Sequence, residues 1–184
     1  MDLTGSLIVA MPAMTDPRFD RAVILICAHT GEGAMGLIVN KPISDLSFSD
    51  LLTQLNIARN GPGRDIRVQF GGPVERGRGF VLHSTDYAGG LATTLVGGTY
   101  GMTGTLEVLE ALAKGRGPTQ AILALGYSGW GPGQLEAEIA RNDWLTVLAS
   151  DPLVFGQDHP RKWTKALQTM GIDPLTLSPV SGRA

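Results

Sequence analysis

Apolar residues in this chain fall mostly into short runs of strand length, broken by glycine and proline, with only a few stretches at helical spacing. Leu7–Met11 reads as a first strand, stopped by Pro12, and Asp16-Pro17 marks a turn. Ala22–Ala28 is apolar on both faces (Val23, Leu25 and Cys27 against Ile24 and Ile26), which predicts a strand central in its sheet. The loop His29–Ala34 carries Gly31 and Gly33 and returns the chain as a hairpin into Gly36–Val39. Ser47, with Asp50 three residues on, is an N-cap, and Phe48, Leu51, Leu52 and Leu55 follow at helical spacing. After a loop over Arg59–Asp65, strands are expected at Ile66–Phe70 and Phe80–Ser84, separated by Gly71-Gly72-Pro73 and an Arg/Gly turn.

Between Asp86 and Gly104 the glycines Gly89, Gly90, Gly97, Gly98 and Gly101 leave two readings open, short strands or a flexible loop. Leu106, Leu109, Leu112 and Ala113 predict a second helix closed by Lys114-Gly115. Thr119–Leu125 is a buried strand, Pro132–Arg141 a third helix, Trp144–Leu148 a strand, and Pro160–Met170 a last helix ending at Gly171. Strands interrupted by occasional helices, without regular βα alternation, predict an α+β fold.

Composition narrows the function classes. At 184 residues the chain suits one domain, 1–184. A net charge of -2 argues against binding nucleic acid by bulk electrostatics. Cys27 is the only cysteine, so no internal disulfide forms and a thiolate zinc site is not expected. The start of the chain has no positive n-region and the run Leu7–Met11 is too short for a signal segment, so a cytoplasmic protein with no membrane contact is expected.

Three places carry candidate chemistry. Gly126–Ile139 joins a predicted strand to a predicted helix, with Gly131 as N-cap, Pro132 first in the helix and Gln134 reaching back to the cap. Glu136 and Glu138 lie near the positive end of that helix. Capping chemistry accounts for these residues without a ligand; read as a site, the glycines form a cradle walled by Trp130, and the glutamates oppose an anion. Ser128 does not fit a nucleophile elbow, because Trp130 stands where Gly-x-Ser-x-Gly needs glycine, and it reads as a turn serine bonded to local backbone.

Cys27 and His29, two residues apart, are expected on one strand face, and His83 is a possible third member of a thiol–imidazole or metal site. The competing reading is an inert core thiol and a hydrogen-bonded sheet histidine. Gly98-x-x-Gly101-x-x-Gly104 lacks the dinucleotide fingerprint and no Gly-Lys-Ser/Thr occurs. Arg161, Lys162 and Lys165 form a basic face on the last helix, expected to be solvated.

Taken together, Gly5–Met14 with Asp16-Pro17-x-Phe19, Gly33–Pro42, Gly71–Val74, Gly79–His83, Leu106–Ala113 and Gly126–Ile139 leading to Asn142 and Trp144 resemble the AlgH/YqgE family of bacterial proteins. The resemblance runs over nearly the whole chain. It implies an α+β domain whose irregular mixed sheet is partly closed like a small barrel and flanked by about four helices. It implies no catalytic residue, metal or cofactor, since members are described as candidate transcriptional regulators without a defined reaction. The tail Gly182-Arg183-Ala184 replaces the family's usual Gly-His-Ala, and position 128 is often alanine there. The function expected is therefore a non-catalytic regulatory or protein-interaction domain with a protein partner. A small-molecule binder or an enzyme at Cys27, His29 and His83 or at Trp130 is the alternative, and direct DNA binding the second. Asn40, Trp130, Gln134, Glu136, Cys27 and His83 are the candidate ligand-binding residues.

Overall fold

Alternate residues of strand β1 (Leu7–Ala10) feed different cores: Leu7 and Val9 enter one apolar cluster, Ile8 and Ala10 another. Strand β2 (Val23–Thr30) divides its side chains in the same way and lies between β1 and β3 (Gly33–Ile38), central as its two apolar faces predict. The computed structural model describes residues 2–59, 61, 63–88 and 90–177. Part of the predicted loop Arg59–Asp65, the glycine at 89 and the tail Gly182-Arg183-Ala184 lie outside the described residues.

The remaining strands are β4 (Arg67–Phe70), β5 (Val74–Ser84), β6 (Thr93–Val96), β7 (Tyr100–Thr103), β8 (Ala121–Trp130) and β9 (Trp144–Val147). They join one mixed sheet in the order β6-β7-β5-β8-β3-β2-β1-β9, antiparallel throughout except for β4, which pairs parallel with β8 off this path. The sheet curls into a half-barrel. Its β6 edge comes back against the start of β1, where Gly97 follows β6 and Gly5 precedes β1, so closely that a Cβ on Gly5 would stand 2.8 Å from the Gly97 Cα. Both glycines have positive φ, 85° and 58°, so this seam needs the missing side chain and the left-handed backbone together.

Five α-helices cover the sheet among the described residues: α1 (Phe48–Gln54), α2 (Leu106–Ala113), α3 (Gln134–Ala140), α4 (Asp151–Val154) and α5 (His159–Gln168). One face packs on α4 and α5 through Val154, Phe155, Trp163 and Leu167. The other face divides between α3, through Leu135, and the pair α1–α2, through Phe48, Leu52, Val108 and Leu112. Helix α1 starts as its sequence dictates: Ser47 Oγ accepts from the Asp50 amide at 3.0 Å while Asp50 accepts from the Ser47 amide at 3.0 Å.

Of the two readings open for the glycine-rich segment before Gly104, the short strands are the ones that form, as the β6–β7 hairpin. Three local expectations change. Strand β5 begins at Val74, well before Phe80, and β8 runs on through Trp130. The third helix begins at Gln134, with Gly133 in the left-handed region (φ 70°) as its cap, so Pro132 lies in the preceding turn. The fifth helix is the single turn Asp151–Val154, too short for periodicity to reveal.

Gly36 shows how tightly the sheet is packed. A Cβ there would lie 2.7 Å from Ile24 Cγ2 and 2.9 Å from the Leu25 carbonyl. Gly36→Ala is therefore expected to destabilise the fold by about 1–3 kcal/mol in denaturant unfolding, because the Leu25 backbone cannot step aside as a side chain would.

Candidate functional site

Where β8 ends, Trp130 lies opposite Ala34 of β3, and the turn Gly131–Gly133 drops the chain into α3. Gln134 and Glu138 are four residues apart and so share one helix face. Gln134 Oε1 accepts from the Gly131 amide at 3.0 Å, the reach-back its sequence position predicts, and its amide donates to Glu138 Oε1 at 2.9 Å. The other oxygen, Oε2, accepts both the Trp130 indole N–H at 2.9 Å and the Trp144 indole N–H at 2.8 Å. Trp130 and Trp144 are only 7% and 2% exposed, so this one half-buried carboxylate satisfies two buried donors.

The indoles stand edge to face with centroids 6.0 Å apart, and Phe19 packs on Trp144 in the same way at 5.6 Å. This aromatic wall borders a cleft of about 500 Å³ whose other sides include Met14, Asp16, Val74 and Asp143. Asp16 is held by Arg18 at 2.6 Å and Asp143 by Arg141 at 3.0 Å. Neither Glu138 nor Trp144 stands out in the sequence as a ligand-binding position. The signal was the i,i+4 pair Gln134–Glu138 beside two tryptophans.

The other candidates are dispersed. Cys27 and His29 do not share a face, because a β-bulge shifts the β2–β3 register between Ile26 and Ala28 and inverts the alternation beyond it. Cys27 packs with Leu25 and Leu37, and burial pushes its thiol up to about 12. We expect a maleimide to leave the native thiol intact while labelling it rapidly in denaturant; rapid native labelling would contradict this burial. His29 instead accepts the Leu3 amide at Nδ1 (3.1 Å), which makes Nε2 the donor to Glu136 at 2.9 Å. The Glu136 carboxyl is held below its ordinary value first by its own amide and then by His29.

His83 lies elsewhere, fully buried, with Nδ1 2.8 Å from the Ser84 carbonyl and Nε2 2.8 Å from the Thr103 hydroxyl. Burial lowers its pKa. Asn40 bridges backbone, accepting from the Val23 amide and donating to the Arg21 carbonyl, both at 2.8 Å. Ser128 sits within β8, not in a turn, and donates to the Gly71 carbonyl at 3.3 Å. Among the described residues no group of three His, Cys, Asp or Glu is placed to hold a metal ion, and no helix is long and apolar enough to cross a membrane.

Lys162 departs most from expectation. It is 1% exposed rather than solvated, and its Nζ donates to the carbonyls of Val39 at 2.7 Å and Val154 at 2.9 Å. Burial lowers its pKa to about 7. Beside it His159, lowered to about 4 by burial and then by the Lys162 charge, lies 3.4 Å from Gln69 Nε2. A neutral amine has two N–H groups and finds two carbonyls here.

A family model described as AlgH-like matches residues 7–175. Over its whole length the chain is 65% identical to a UPF0301 protein of Cereibacter sphaeroides, also matched over its whole length. A UPF0301 protein of Rhodospirillum rubrum is 51% identical, with 99% of this chain and 94% of that protein covered. The solution structure of the AlgH protein from Pseudomonas aeruginosa superposes with a TM-score of 0.80 at 35% identity, covering 100% of this chain and 97% of that one. A crystal structure of a Corynebacterium diphtheriae protein shares the fold, with a TM-score of 0.75 at 23% identity over 96% of this chain and 92% of that one. By family model, sequence identity and superposition alike, the chain belongs to the AlgH-like family.

Proposed function

We propose that this chain is a non-catalytic interaction domain that docks a partner protein in the Trp130–Glu138 cleft. The observation that carries the reading is the clamp itself: one carboxylate fixes two indoles and a glutamine amide, giving a preorganised aromatic wall beside the exposed Val74. Rigid aromatic surface binds without losing much side-chain entropy. A catalytic role would call for a nucleophile beside a base, and among the described residues no Ser, Cys, His or Lys lines the cleft. A regulatory effect, on this reading, passes through the docked protein rather than through DNA, in keeping with a net charge of -2.

The test compares Val74→Lys, inside the cleft, with Leu91→Lys at a fully exposed position outside its lining. Each immobilised variant is presented to extract from the chain's own cells. A partner retained by the wild type and by Leu91→Lys, but lost or weakened roughly tenfold by Val74→Lys, is the expected result. Equal retention by all three, or retention by none, would overturn it.

A further inference from the structure

Building on that docking reading, we infer that the segment the cleft receives is basic, presenting an arginine or lysine side chain to Glu138. The inference comes from how charge is distributed among the carboxylates of the cleft. Asp16 is neutralised by the Arg18 guanidinium at 2.6 Å, and Asp143 by that of Arg141 at 3.0 Å. Glu138 differs. Its donors, two indoles and one amide, are all neutral. Hydrogen bonds from neutral groups orient a carboxylate and stabilise it, but leave its net charge in place. Asp16, Arg18, Glu138, Asp143 and Arg141 therefore sum to one uncompensated negative charge, and it sits at Glu138.

The surroundings select the ligand further. Walls of Trp130, Trp144, Phe19 and Met14 have a low dielectric constant beside water and concentrate the field of that charge. A carboxylate offers about four acceptor positions, of which three are taken, leaving roughly one for an incoming donor. An acidic segment would be repelled. A purely apolar segment would strip water from Glu138 without replacing it, which costs free energy. An arginine or lysine lays its apolar stem along the half-buried Phe19 and Met14 of the wall and brings its charge to the carboxylate, satisfying both.

The experiment uses the full chain with ¹⁵N-labelled tryptophan and an acetylated, amidated pentapeptide alternating arginine and leucine. Matched peptides replace arginine with lysine, glutamine or glutamate. The indole N–H signals of Trp130 and Trp144 report the cleft. That of Trp163, bonded to the Ala10 carbonyl at 2.7 Å on α5, is the internal control. The arginine and lysine peptides are expected to shift the Trp130 and Trp144 signals and leave Trp163 still, binding roughly tenfold more tightly than the glutamine and glutamate forms. Raising the salt from about 0.02 M to about 0.5 M should weaken that binding.

Glu138→Gln should abolish the preference for cationic peptides; if that variant loses its fold, the salt dependence of the wild type still decides. Equal shifts from the glutamine or glutamate peptide, or no shift of either cleft indole at millimolar peptide, would overturn the cationic inference and leave the docking reading to its own test. Capture of a partner indifferent to Val74→Lys would overturn the docking reading instead.

Discussion

Replacing Glu138 with alanine is expected to destabilise the native state by about 2–5 kcal/mol. The truncation leaves the Trp130 and Trp144 indole N–H groups without an acceptor in surroundings where they are 7% and 2% exposed. A buried donor stripped of its partner loses about 1–3 kcal/mol, and here two are stripped by one change. Gln134 contributes little to the loss, because its amide is exposed and turns to water. Glu138→Gln keeps one acceptor oxygen and should cost about half as much. Denaturant unfolding at constant m-value measures both. A loss below about 1 kcal/mol for the alanine variant would mean that the carboxylate does not hold the indoles.

The second large effect is a pH dependence centred on Lys162. The native chain gives up the Lys162 proton at about 7, because burial disfavours the ammonium. The unfolded chain keeps it to the ordinary lysine value of about 10.4. Between those values the unfolded state binds more protons, so stability from this group is present above the unfolded value and is lost as the pH falls toward 7. The span is up to about 4–5 kcal/mol. His159, lowered to about 4, stays neutral throughout this window. Cys27, raised to about 12 from its ordinary value of about 8.5, opposes the trend above that ordinary value, equally in the wild type and in a Lys162 variant.

Lys162→Met removes the titration. At about pH 9.5 it should be less stable than the wild type by about 2–4 kcal/mol, since the Val39 and Val154 carbonyls lose their donor. At about pH 7 the gap should shrink, because the wild type there carries a buried charge. Parallel stability curves for the two proteins across this range would refute a buried, proton-releasing Lys162.

These two residues also mark where sequence reasoning stopped. Short-range rules were legible: the Ser47–Asp50 capping box, the central position of β2 and the Gln134 reach-back all follow from neighbouring residues. Long-range consequences were not. The bulge at Cys27 depends on how β2 registers against β3, and no local pattern announces it, so the predicted Cys27–His29 face dissolved. The Glu138 clamp joins residues from β8, α3 and the start of β9, and only tertiary packing brings Trp144 to the carboxylate.

Lys162 is a different case. Its spacing from His159 and Ala166 sets it on the buried stripe of α5, in step with Trp163 and Leu167, but charge outweighed period in the reading of that helix. The curl of the sheet, by contrast, came with the family resemblance and not from periodicity.

The central claim, that this domain works by holding a partner in the Trp130–Glu138 cleft, is met most directly inside the cell. A photo-crosslinking amino acid placed at Val74 reports what occupies the cleft, and the same residue placed at Leu91 reports chance encounters. The account predicts one discrete adduct at position 74, absent at 91, whose cross-linked peptide in the partner carries arginine or lysine. No adduct at 74, or the same adducts from both positions, would contradict it.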